Sequence, residues 1–588
     1  HKVDHAYSTP AEHHHPMEPH ASVAVWESPE KLTLYDATQG VGLTGAIAAY
    51  FLGLKQENVR VIAPYVGGGF GSKGLWLHTL LVAIAAKAAG RPVKLALTRQ
   101  MMQTNVGHRA ATFQRVALAT DDAGKLSVVR HHTDTYNNLT QFFEPSGKQS
   151  LVLYQAPLRE VTYNVAQLNR GTPTFMRAPG ETPGTFALES AMDEMAHELK
   201  MDPVEFRIAN HTTKDPMHGH DFSSEFLLDC YRIGAEKFGW SNRSMEPRQK
   251  RNGKFLVGYG MATATYPGGR SAASVKVHMN AKGDVTVMTA SIDIGTGTYT
   301  VLAQTAADGL GIPVERIDVK IGDSTLPAAP LAGGSQTTAS IHPAAMEACV
   351  LLRKELAALA IADQGSKLFG RKDDELAFAN GKLFIKGNES SAEAYTDILS
   401  RAKREEIEAC ATTLPVSGAG LTVPSALCTP RETPPEENSD IKKYAFHSFG
   451  AQFAEVWVDE DFGTIRVKRF TSVQDVGRIM NEKTARSQII GGVIFGIGAA
   501  LMEATEYDKR WGNVATRTLA DYHVPVHLDV PPIDVHFIGK PDPHISPIGA
   551  RGIGEIGITG VSAAIANAVF NATGKRVRDL PLTPDKLI

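Results

Sequence analysis

Five short glycine-rich stretches hold the residues of this 588-residue chain whose types and spacing could do chemistry. Glycines allow the backbone to approach a ligand closely, and the free N–H groups of such loops bind phosphates and other oxyanions. Glu555 ends the last stretch, where a carboxylate held close to a ligand could accept a proton as a general base. In chain order the stretches are residues 67–73 (GGGFGSK), 176–181 (MRAPGE), 293–300 (DIGTGTYT), 333–338 (GGSQTT) and 551–555 (RGIGE).

Each stretch taken alone has a simpler interpretation. Residues 67–73 resemble a nucleotide-binding P-loop, but the pattern GxxxxGK[ST] requires a glycine before the lysine, and here Ser72 precedes Lys73. The alternative for this stretch is a tight turn between a strand and a helix, and for the last stretch a turn with a solvated Glu555. A nucleotide hydrolase is disfavoured because the P-loop pattern fails and the sequence shows no paired acidic metal site.

Three of the stretches are preceded by a strand-like run and followed by an alanine-rich helical run. A helix that starts directly after such a loop directs its free N–H groups and its positive dipole end at a bound anion. This repeated plan predicts a mixed α+β fold that positions the loops. The strand-like and helical runs are residues 59–65 and 75–89, residues 285–288 and 299–310, and residues 533–538 and 560–570.

The length of the chain predicts more than one domain, because 588 residues exceed one ordinary hydrophobic core. Residues 241–253 are polar and follow a helical run, so we expect one domain over residues 1–245 and a second over residues 246–588. Residues 430–443, rich in proline and charge, are expected to form a surface excursion inside the second domain. The apolar run 489–502 is too short to span a bilayer and is expected in a core.

Charge and cysteine content exclude several classes of function. The formal net charge is −3 and 21% of residues are charged, so no overall field attracts nucleic acid or anionic lipid. None of the four cysteines lies in a CxxC pair or in a glycine-rich stretch. Structural zinc, iron–sulfur clusters bound by this chain and a disulfide framework are therefore not expected. The cysteines are Cys230, Cys349, Cys410 and Cys428.

The five stretches, in this order, resemble those of the molybdopterin-binding subunit of the xanthine oxidase family, most of all the bacterial periplasmic-type aldehyde oxidoreductases. Residues 187–210 and 560–575 add to the resemblance, which runs from about Met17 to the end of the chain. The family's N-terminal hammerhead domain is therefore expected to be absent from this chain. The resemblance implies two elongated mixed α/β molybdopterin-binding domains with the cofactor at their interface. It also implies that the pterin dithiolene, and no protein side chain, holds the molybdenum.

The resemblance implies a role for each motif. Glu555 is the implied catalytic base, which removes a proton from the nucleophilic oxygen. Gln39 would bind the apical oxo ligand of the metal, and Arg177 would lie beside the metal. Considered singly, Gln39 or Gln488 could instead be an amide that satisfies a loop, and Arg177 a surface ion pair. The implied cofactor-binding residues are Gln39, Gly69, Phe70, Gly71, Arg177, Gly295, Thr296, Gly297, Gly333, Gly334, Ser335, Thr337, Thr338, Gln488, Gly552 and Gly554.

Two departures from family patterns reduce the number of candidate substrate classes. Purine-oxidising members carry a glutamate directly after the lysine of the first stretch, where this chain has Gly74. The carbon monoxide dehydrogenase branch carries a cysteine on an active-site loop, and residues 177–180 contain none. The Asp-Ile-Gly-Thr-Gly form around Thr296 is typical of the aldehyde branch. We therefore expect oxidation of aldehydes to carboxylic acids.

Two other functions remain open at this point. The first is hydroxylation of an N-heterocycle by the same molybdenum chemistry. The second is a scaffold that holds the cofactor without turnover, which the retention of Glu555 disfavours.

The resemblance also implies cofactors and partners. Bacterial members usually carry molybdopterin cytosine dinucleotide, whose pyrophosphate suits several loops of backbone donors. Because no cysteine pattern here could bind relay clusters, an iron–sulfur subunit and an FAD subunit are expected to complete a heterotrimer. No nucleic acid partner and no membrane span are expected. Export to the periplasm would use the twin-arginine signal of a partner, with a cytoplasmic location as the alternative.

Two groups of polar residues outside the motifs receive simpler assignments. The histidines at positions 1, 5 and 13–15 are expected in a solvated loop instead of a metal site. Glu18 and His20 match a family phrase before the first strand and are expected to be structural. Glu503 and Glu506, which follow the apolar run, are expected at a helix end and on the surface.

Overall fold

The computed structural model describes residues 1–138, 142–415, 428 and 443–588. In this part of the chain, helices pack against sheets, and each of the larger sheets contains both parallel and antiparallel pairs. The predicted mixed fold is therefore confirmed. The predicted surface excursion over residues 430–443 lies outside the described residues except for its last position.

Two four-stranded sheets are formed by the N-terminal part of the chain. The strands of the first sheet are β1 (Lys2–Thr9), β6 (Thr112–Thr120), β7 (Leu126–Asn137) and β8 (Leu158–Gln167), paired in the order β1-β6-β7-β8. The strands of the second are β2 (Ala21–Ser28), β3 (Lys31–Asp36), β4 (Val59–Ile62) and β5 (Val93–Ala96), paired in the order β4-β3-β2-β5. Buried and less buried side chains alternate along β6 because successive residues of a strand point to opposite faces.

Three further sheets are formed by the C-terminal part. A five-stranded sheet has the order β10-β11-β20-β21-β22, with β10 (Arg251–Asn252), β11 (Phe255–Pro267), β20 (His447–Asp459), β21 (Ile465–Asp475) and β22 (Ile533–Phe537). A four-stranded sheet has the order β14-β13-β12-β18, with β12 (Ala273–Asn280), β13 (Val285–Met288), β14 (Ile317–Lys320) and β18 (Glu406–Thr413). A small sheet contains β15 (Leu376–Ala379), β16 (Lys382–Ile385) and β17 (Asn388–Ala394). The short strands β9 (Asp221–Phe222) and β19 (Tyr444–Ala445) pair across the two parts.

The helices cover these sheets. They are α1 (Val41–Leu52), α2 (Leu77–Ala89), α3 (Arg99–Asn105), α4 (Glu181–Glu198), α5 (Pro203–Ala209), α6 (Leu227–Phe238), α7 (Thr298–Leu310), α8 (Thr337–Ala362), α9 (Tyr395–Arg401), α10 (Glu482–Leu501) and α11 (Val561–Thr573).

The three predicted strand–loop–helix units are present. The first joins β4 to α2, the second β13 to α7, and the third β22 to α11. In the second and third units the helix begins directly after a glycine, Gly297 or Gly560, that has a positive φ. The glycine-rich loops therefore lie between a sheet and the start of a helix, as their spacing predicts.

The largest hydrophobic core joins the N-terminal and C-terminal parts. Helix α4 is buried from Glu181 to Ala196 and packs against β1 and β6 as well as β11 and α11. The core combines Phe186 and Met192 of α4 with Phe453 of β20 and Ile565 of α11. Helix α4 is therefore the element on which both parts of the chain are assembled.

The apolar run 489–502 lies in helix α10, where Ile489, Val493 and Ile497 are buried in the same core, as expected. By length and composition alone, two segments of the described chain could cross a membrane, Glu482–Leu501 and residues 556–573. The apolar window is half buried in the first and fully buried in the second, and core helices have the same composition. The structure thus shows no clear membrane span among the described residues.

The expectation that the chain carries no disulfide framework is wrong at one place, because Cys410 and Cys428 form a disulfide. Cys410 lies on β18, and the backbone N–H of Cys428 donates a 2.9 Å hydrogen bond to Oγ of Ser274 on the neighbouring strand β12. The two cysteines meet because both lie against β12, a contact that their spacing in the sequence does not reveal. Cys230 and Cys349 are free and buried.

The expectation of a solvated histidine loop is also wrong, because His13 and His14 are buried. Nδ1 of His13 lies 2.8 Å from Oγ1 of Thr505, and Nε2 of His14 lies 2.7 Å from the carbonyl oxygen of Phe175. Burial lowers the pKa of His14 to about 3, so its ring is neutral. These rings fill space between loops that are distant in sequence, so only the tertiary fold determines their environment.

Of the other polar assignments outside the motifs, some are confirmed and one is wrong. Glu18 and His20 are structural as expected, since Oε2 of Glu18 lies 2.5 Å from Nζ of Lys73 and Nε2 of His20 lies 2.9 Å from the carbonyl oxygen of Ser72. Glu503 follows the end of α10, but its assignment to the surface is wrong. The hydroxyl of Tyr522 donates a 3.0 Å hydrogen bond to it, and burial raises its pKa.

Candidate functional site

One cavity of about 630 Å³ brings the five glycine-rich stretches together. Its walls come from both parts of the chain, although hundreds of residues separate the first stretch from the last. The predicted site residues that line it are Gln39, Gly69, Phe70, Gly71, Arg177, Gly295, Thr296, Gly333, Gly334, Ser335, Thr337, Thr338, Gln488, Gly552, Gly554 and Glu555.

Gly297 is the predicted residue that does not contribute to this wall. It caps the N-terminus of α7 with φ of 84°, and a Cβ at this position would lie 2.6 Å from Cγ2 of Thr484. Gly297 therefore allows α7 and α10 to approach each other beside the cavity.

Gln39 joins the first stretch to the fourth. Its Oε1 accepts hydrogen bonds from the backbone N–H groups of Gly71 (2.9 Å) and Lys73 (3.2 Å), and its Nε2 donates to the carbonyl oxygen of Ala332 (2.8 Å). A Cβ at Gly69 would lie 2.4 Å from Oε1 of Gln39, so a side chain at this position would displace the Gln39 amide. The Gln39 amide thus satisfies loops, which is the simpler role considered for it, and it does so on the cavity wall.

Arg177 joins the second stretch to two others. Its Nε donates to the carbonyl oxygen of Gly554, and its Nη2 donates to the carbonyl oxygen of Gln488, each at 2.8 Å. The residue is buried, and burial lowers the pKa of its guanidinium to about 10, an effect that the charge of Glu555 opposes. A surface ion pair is therefore the wrong interpretation of Arg177.

Glu555 is half-buried on the cavity wall, and two other stretches hold its carboxylate. Oε1 accepts a 3.0 Å hydrogen bond from the backbone N–H of Ala178, and Oε2 accepts a 3.0 Å hydrogen bond from the hydroxyl of Ser335. Glu555 is therefore held by other loops and is not a free side chain on a surface turn. The carboxylate has a fixed position from which it can exchange a proton with a molecule in the cavity.

A buried arginine that the sequence analysis missed supports this arrangement from behind. Arg109 donates to the carbonyl oxygens of Met176 (3.0 Å) and Arg177 (2.8 Å). It is paired with Glu12 at 3.0 Å and with Glu144 at 2.7 Å, and all three charged side chains are buried. The network fixes the backbone of the turn that presents the Ala178 N–H to Glu555. No motif surrounds Arg109, so sequence reasoning had no signal to find it.

Helix N-termini give the cavity the character of an anion site. Helices α1, α7, α8 and α10 begin beside it. The first turn of a helix carries N–H groups without partners inside the helix and a partial positive charge. Such ends bind phosphate groups. The first-turn residues on the wall are Leu43, Thr44, Thr298, Thr337, Thr338, Thr484 and Ala485.

The N-terminus of α10 on the cavity wall was also missed, although Gln488 of the same helix was predicted and a signal existed for the helix start. The side chain of Asn481 accepts a 3.0 Å hydrogen bond from the backbone N–H of Thr484, which is an N-cap before an apolar run. Tyr266 lines the wall as well, but it belongs to strand β11 and no local pattern marks it.

A large anionic cofactor fits this cavity. Gly295 is on the wall, and a Cβ there would meet no protein atom within 4 Å, so the space beside it is open to a ligand. The loops supply backbone donors, and the helix ends supply positive potential. Among the described residues, no three His, Cys, Asp or Glu side chains are grouped so that they could hold a metal ion.

Comparison with known protein families agrees with this geometry. Two models described as molybdopterin cofactor-binding domains match residues 1–211 and 234–531. The chain is similar to the aldehyde oxidoreductase molybdenum-binding subunit PaoC of Escherichia coli (strain K12), with 41% identity over 590 residues, covering 100% of this chain and 75% of that protein. It is also similar to the nicotine 6-hydroxylase large subunit of Paenarthrobacter nicotinovorans, with 28% identity over 611 residues, covering 97% of this chain and 71% of that protein.

Solved structures show the same fold. Quinoline 2-oxidoreductase from Pseudomonas putida 86 aligns with a TM-score of 0.88 and 24% identity over 100% of this chain and 76% of that chain. The aldehyde oxidoreductase from Desulfovibrio gigas aligns with a TM-score of 0.81 and 25% identity over 100% of this chain and 61% of that chain. The protein therefore belongs to the xanthine oxidase family, as a molybdopterin-binding subunit of a molybdenum-dependent hydroxylase.

Proposed function

We propose that this protein oxidises aldehydes to carboxylic acids with oxygen derived from water. The observation that carries the proposal is the Glu555 carboxylate on the cavity wall, held at 3.0 Å by donors of both Ala178 and Ser335. A carboxylate fixed beside the bound cofactor can accept the proton that is released when a water-derived nucleophile attacks a carbonyl carbon. The relative with 41% identity is named as an aldehyde oxidoreductase, which favours aldehydes as the substrate class.

We propose molybdopterin cytosine dinucleotide as the cofactor form, held by the predicted cofactor-binding residues. Its pyrophosphate suits the N-terminal ends of α7, α8 and α10, where Thr298, Thr337 and Thr484 line the cavity. When bound, the molybdenum cofactor supplies the acceptor for the two electrons that the substrate loses. Gly297 supports the site indirectly, through the close approach of α7 and α10.

The residues of the chain have separate tasks in this mechanism. Oε1 of Glu555 accepts a hydrogen bond from Ala178 and Oε2 accepts one from Ser335. The carboxylate also interacts with the hydroxyl of Tyr266. A carboxylate has about four acceptor sites, so one remains for a proton from the nucleophile. Arg177 holds the loop of Glu555 through the carbonyl oxygen of Gly554. The ring of Phe70 lines the cavity and packs on Phe495 with centroids 5.0 Å apart, so this part of the wall is apolar.

The alternative function is hydroxylation of an N-heterocycle, which the similarity to nicotine 6-hydroxylase favours. The same Glu555 would serve as the base in that reaction. The identity of 28% is well below the 41% shared with the aldehyde oxidoreductase subunit, so we give aldehydes preference.

We propose that the chain has a first domain over residues 1–245 and a second over residues 246–588. Among the described residues, each strand of the named sheets pairs with strands of the same proposed domain. The exception is the pair of β9 with β19. We propose an iron–sulfur subunit and an FAD subunit as partners, in line with relatives that are named as subunits of larger enzymes. Export to the periplasm with a partner that carries a twin-arginine signal is our proposed location, and the cytoplasm is the alternative.

The purified complex tests these proposals in two steps. Metal analysis should give stoichiometric molybdenum, and acid treatment should release CMP if the cofactor is the cytosine dinucleotide. Steady-state kinetics with benzaldehyde and with quinoline then separate the two substrate classes. Turnover of quinoline with a higher kcat/KM than that of benzaldehyde would overturn the aldehyde assignment.

A further inference from the structure

The reaction proposed above leaves protons in a partly closed cavity. Conversion of an aldehyde and water into a carboxylic acid releases two protons and two electrons. If Glu555 accepts one of these protons, it must lose it before the next turnover. The structure contains a second carboxylate near Glu555 that the mechanism does not use, namely Glu181.

Glu181 is placed by the same turn that holds Glu555. It is the first residue of α4, directly after Gly180, and only 2% of its surface is exposed. Its Oε2 is buried and has no hydrogen-bond partner among the described residues. A buried carboxylate oxygen without a donor favours the protonated form, because a proton removes the charge that burial destabilises.

The groups that face Glu181 make it a site of proton exchange. Burial, together with the negative charges of Glu555 and Glu144, raises the pKa of Glu181 to about 7, although Lys148 and a backbone hydrogen bond act to lower it. Nζ of Lys148 lies 3.8 Å from Oε1 of Glu181, and the Lys148 side chain is 44% exposed. Glu181 therefore lies close enough to Glu555 to feel its charge, three residues after the Ala178 N–H that binds Glu555, and its neighbour Lys148 reaches solvent.

Two tyrosines complete the surroundings of Glu181. Burial and the charges of both Glu555 and Glu181 raise the pKa of the cavity residue Tyr266 well above its usual value. Burial and the charge of Glu181 also raise the pKa of Tyr163. Both phenols therefore keep their protons and can donate hydrogen bonds. Neither phenol can be the group that finally accepts the proton from Glu555.

We propose that Glu181 takes the proton from Glu555 after each turnover and releases it to solvent beside Lys148. This inference rests on the proposed role of Glu555. The O–H bond of protonated Glu555 breaks, an O–H bond forms on Glu181, and the proton then passes to water, so that both carboxylates return to the ionised form. No electron moves in these steps, and Glu181 does not line the cavity.

The sign of the pH dependence follows from which form of Glu181 accepts a proton. Only the ionised form accepts, and it predominates above the pKa of about 7. Steady-state kcat should therefore fall as the pH drops below this value. Removing the positive charge of Lys148 should move the fall to higher pH, because that charge lowers the pKa of Glu181.

The test compares Glu181→Gln with Glu198→Gln in the purified complex. Glu198 ends the same helix and is exposed, so its variant controls for loss of a carboxylate from α4. In Glu181→Gln we expect single-turnover reduction by aldehyde to stay within about threefold of the parent, whereas steady-state kcat falls by about 10-fold or more. The fall of kcat at low pH should also disappear. A parent-like kcat with a parent-like pH profile would overturn the proposal.

Two further measurements keep the proposal testable if Glu181→Gln loses cofactor. Lys148→Met should shift the acid limb of kcat to higher pH, and an unchanged limb would overturn the relay. Difference infrared spectroscopy of the complex should show a protonated carboxyl band that titrates near neutral pH in the parent and is absent from Glu181→Gln. This band does not depend on turnover, so it still reports on Glu181 if aldehydes prove not to be substrates, and a parent without such a band would contradict the inference.

Discussion

The backbone N–H of Ala178 donates a 3.0 Å hydrogen bond to Oε1 of Glu555, although 377 residues separate the two in sequence. Ala178 adopts a positive φ of 57°, which non-glycine residues rarely do. Arg109 fixes this turn by donating to its carbonyl oxygens from a fully buried position. The position of the proposed base therefore depends on a turn in the N-terminal part of the chain.

The first prediction concerns Glu555→Gln. Glutamine keeps the shape and the hydrogen bonds but cannot accept a proton at neutral pH, so the variant should keep its cofactor and lose about 10²–10⁴-fold in rate. The measurement is single-turnover reduction of the metal centre by excess aldehyde, normalised to molybdenum. Glu506→Gln, at an exposed position, is the control. A Glu555→Gln rate within a few-fold of the parent would remove this residue from the mechanism.

The second prediction concerns the buried ion pairs behind the turn. Arg109→Met leaves Glu12 and Glu144 buried without their cation, which should cost about 3–5 kcal/mol of stability. The matched control is Arg115→Met, since Arg115 pairs with Asp4 on the surface, where solvent screens such a pair and it contributes little to stability. Thermal unfolding of both variants checks the difference. Equal unfolding temperatures would show that the network does not stabilise the turn.

The third prediction separates two ways in which glycines serve the cavity. Gly69→Val should lower molybdenum content because its side chain displaces Gln39, and Gly295→Val should lower it because its side chain enters the ligand space. Gly512→Val is the control, because Gly512 also has a positive φ and open surroundings but does not line the cavity. Metal analysis of purified variants is the measurement. Full molybdenum occupancy in both cavity variants would refute the idea that these glycines are needed for cofactor binding.

The fourth prediction concerns substrate choice. Gly74 lies on the cavity wall where purine-oxidising relatives are expected to place a carboxylate, so xanthine should be a very poor substrate compared with an aromatic aldehyde. The comparison of kcat/KM for the two substrates decides this. Similar kcat/KM values would show that the residue at position 74 does not determine substrate specificity. They would also favour hydroxylation of N-heterocycles as the function.

The parts of the fold that depend on local sequence could be predicted. Hydrophobic runs and glycine punctuation located β4, β13 and β22 and the helices that follow them, because strand and helix periodicity is a property of neighbouring residues. The motifs placed every predicted site residue except Gly297 on the cavity wall.

The remaining features depend on contacts between distant parts of the chain. His13 and Glu503 carry no local sign of burial, and each is enclosed by residues far away in sequence, such as Thr505 and Tyr522. Arg109 is likewise recognisable only when Glu12 and Glu144 are seen around it. An isolated polar residue is usually on the surface, so sequence reasoning assigns such residues wrongly where a fold pairs them in its interior.

The division of the cavity wall between the two parts of the chain determines the order in which the enzyme can be assembled. The cavity wall is complete only when helix α4 has brought both parts together, so we expect the cofactor to bind after the two parts have packed. Once inside, it is a ligand shared by both parts, and its binding free energy opposes their separation. By mass action, a ligand at about 1,000 times its dissociation constant adds about 4 kcal/mol to the stability of the folded state. A chain that fails to receive its cofactor is therefore more easily unfolded and degraded than the complete enzyme.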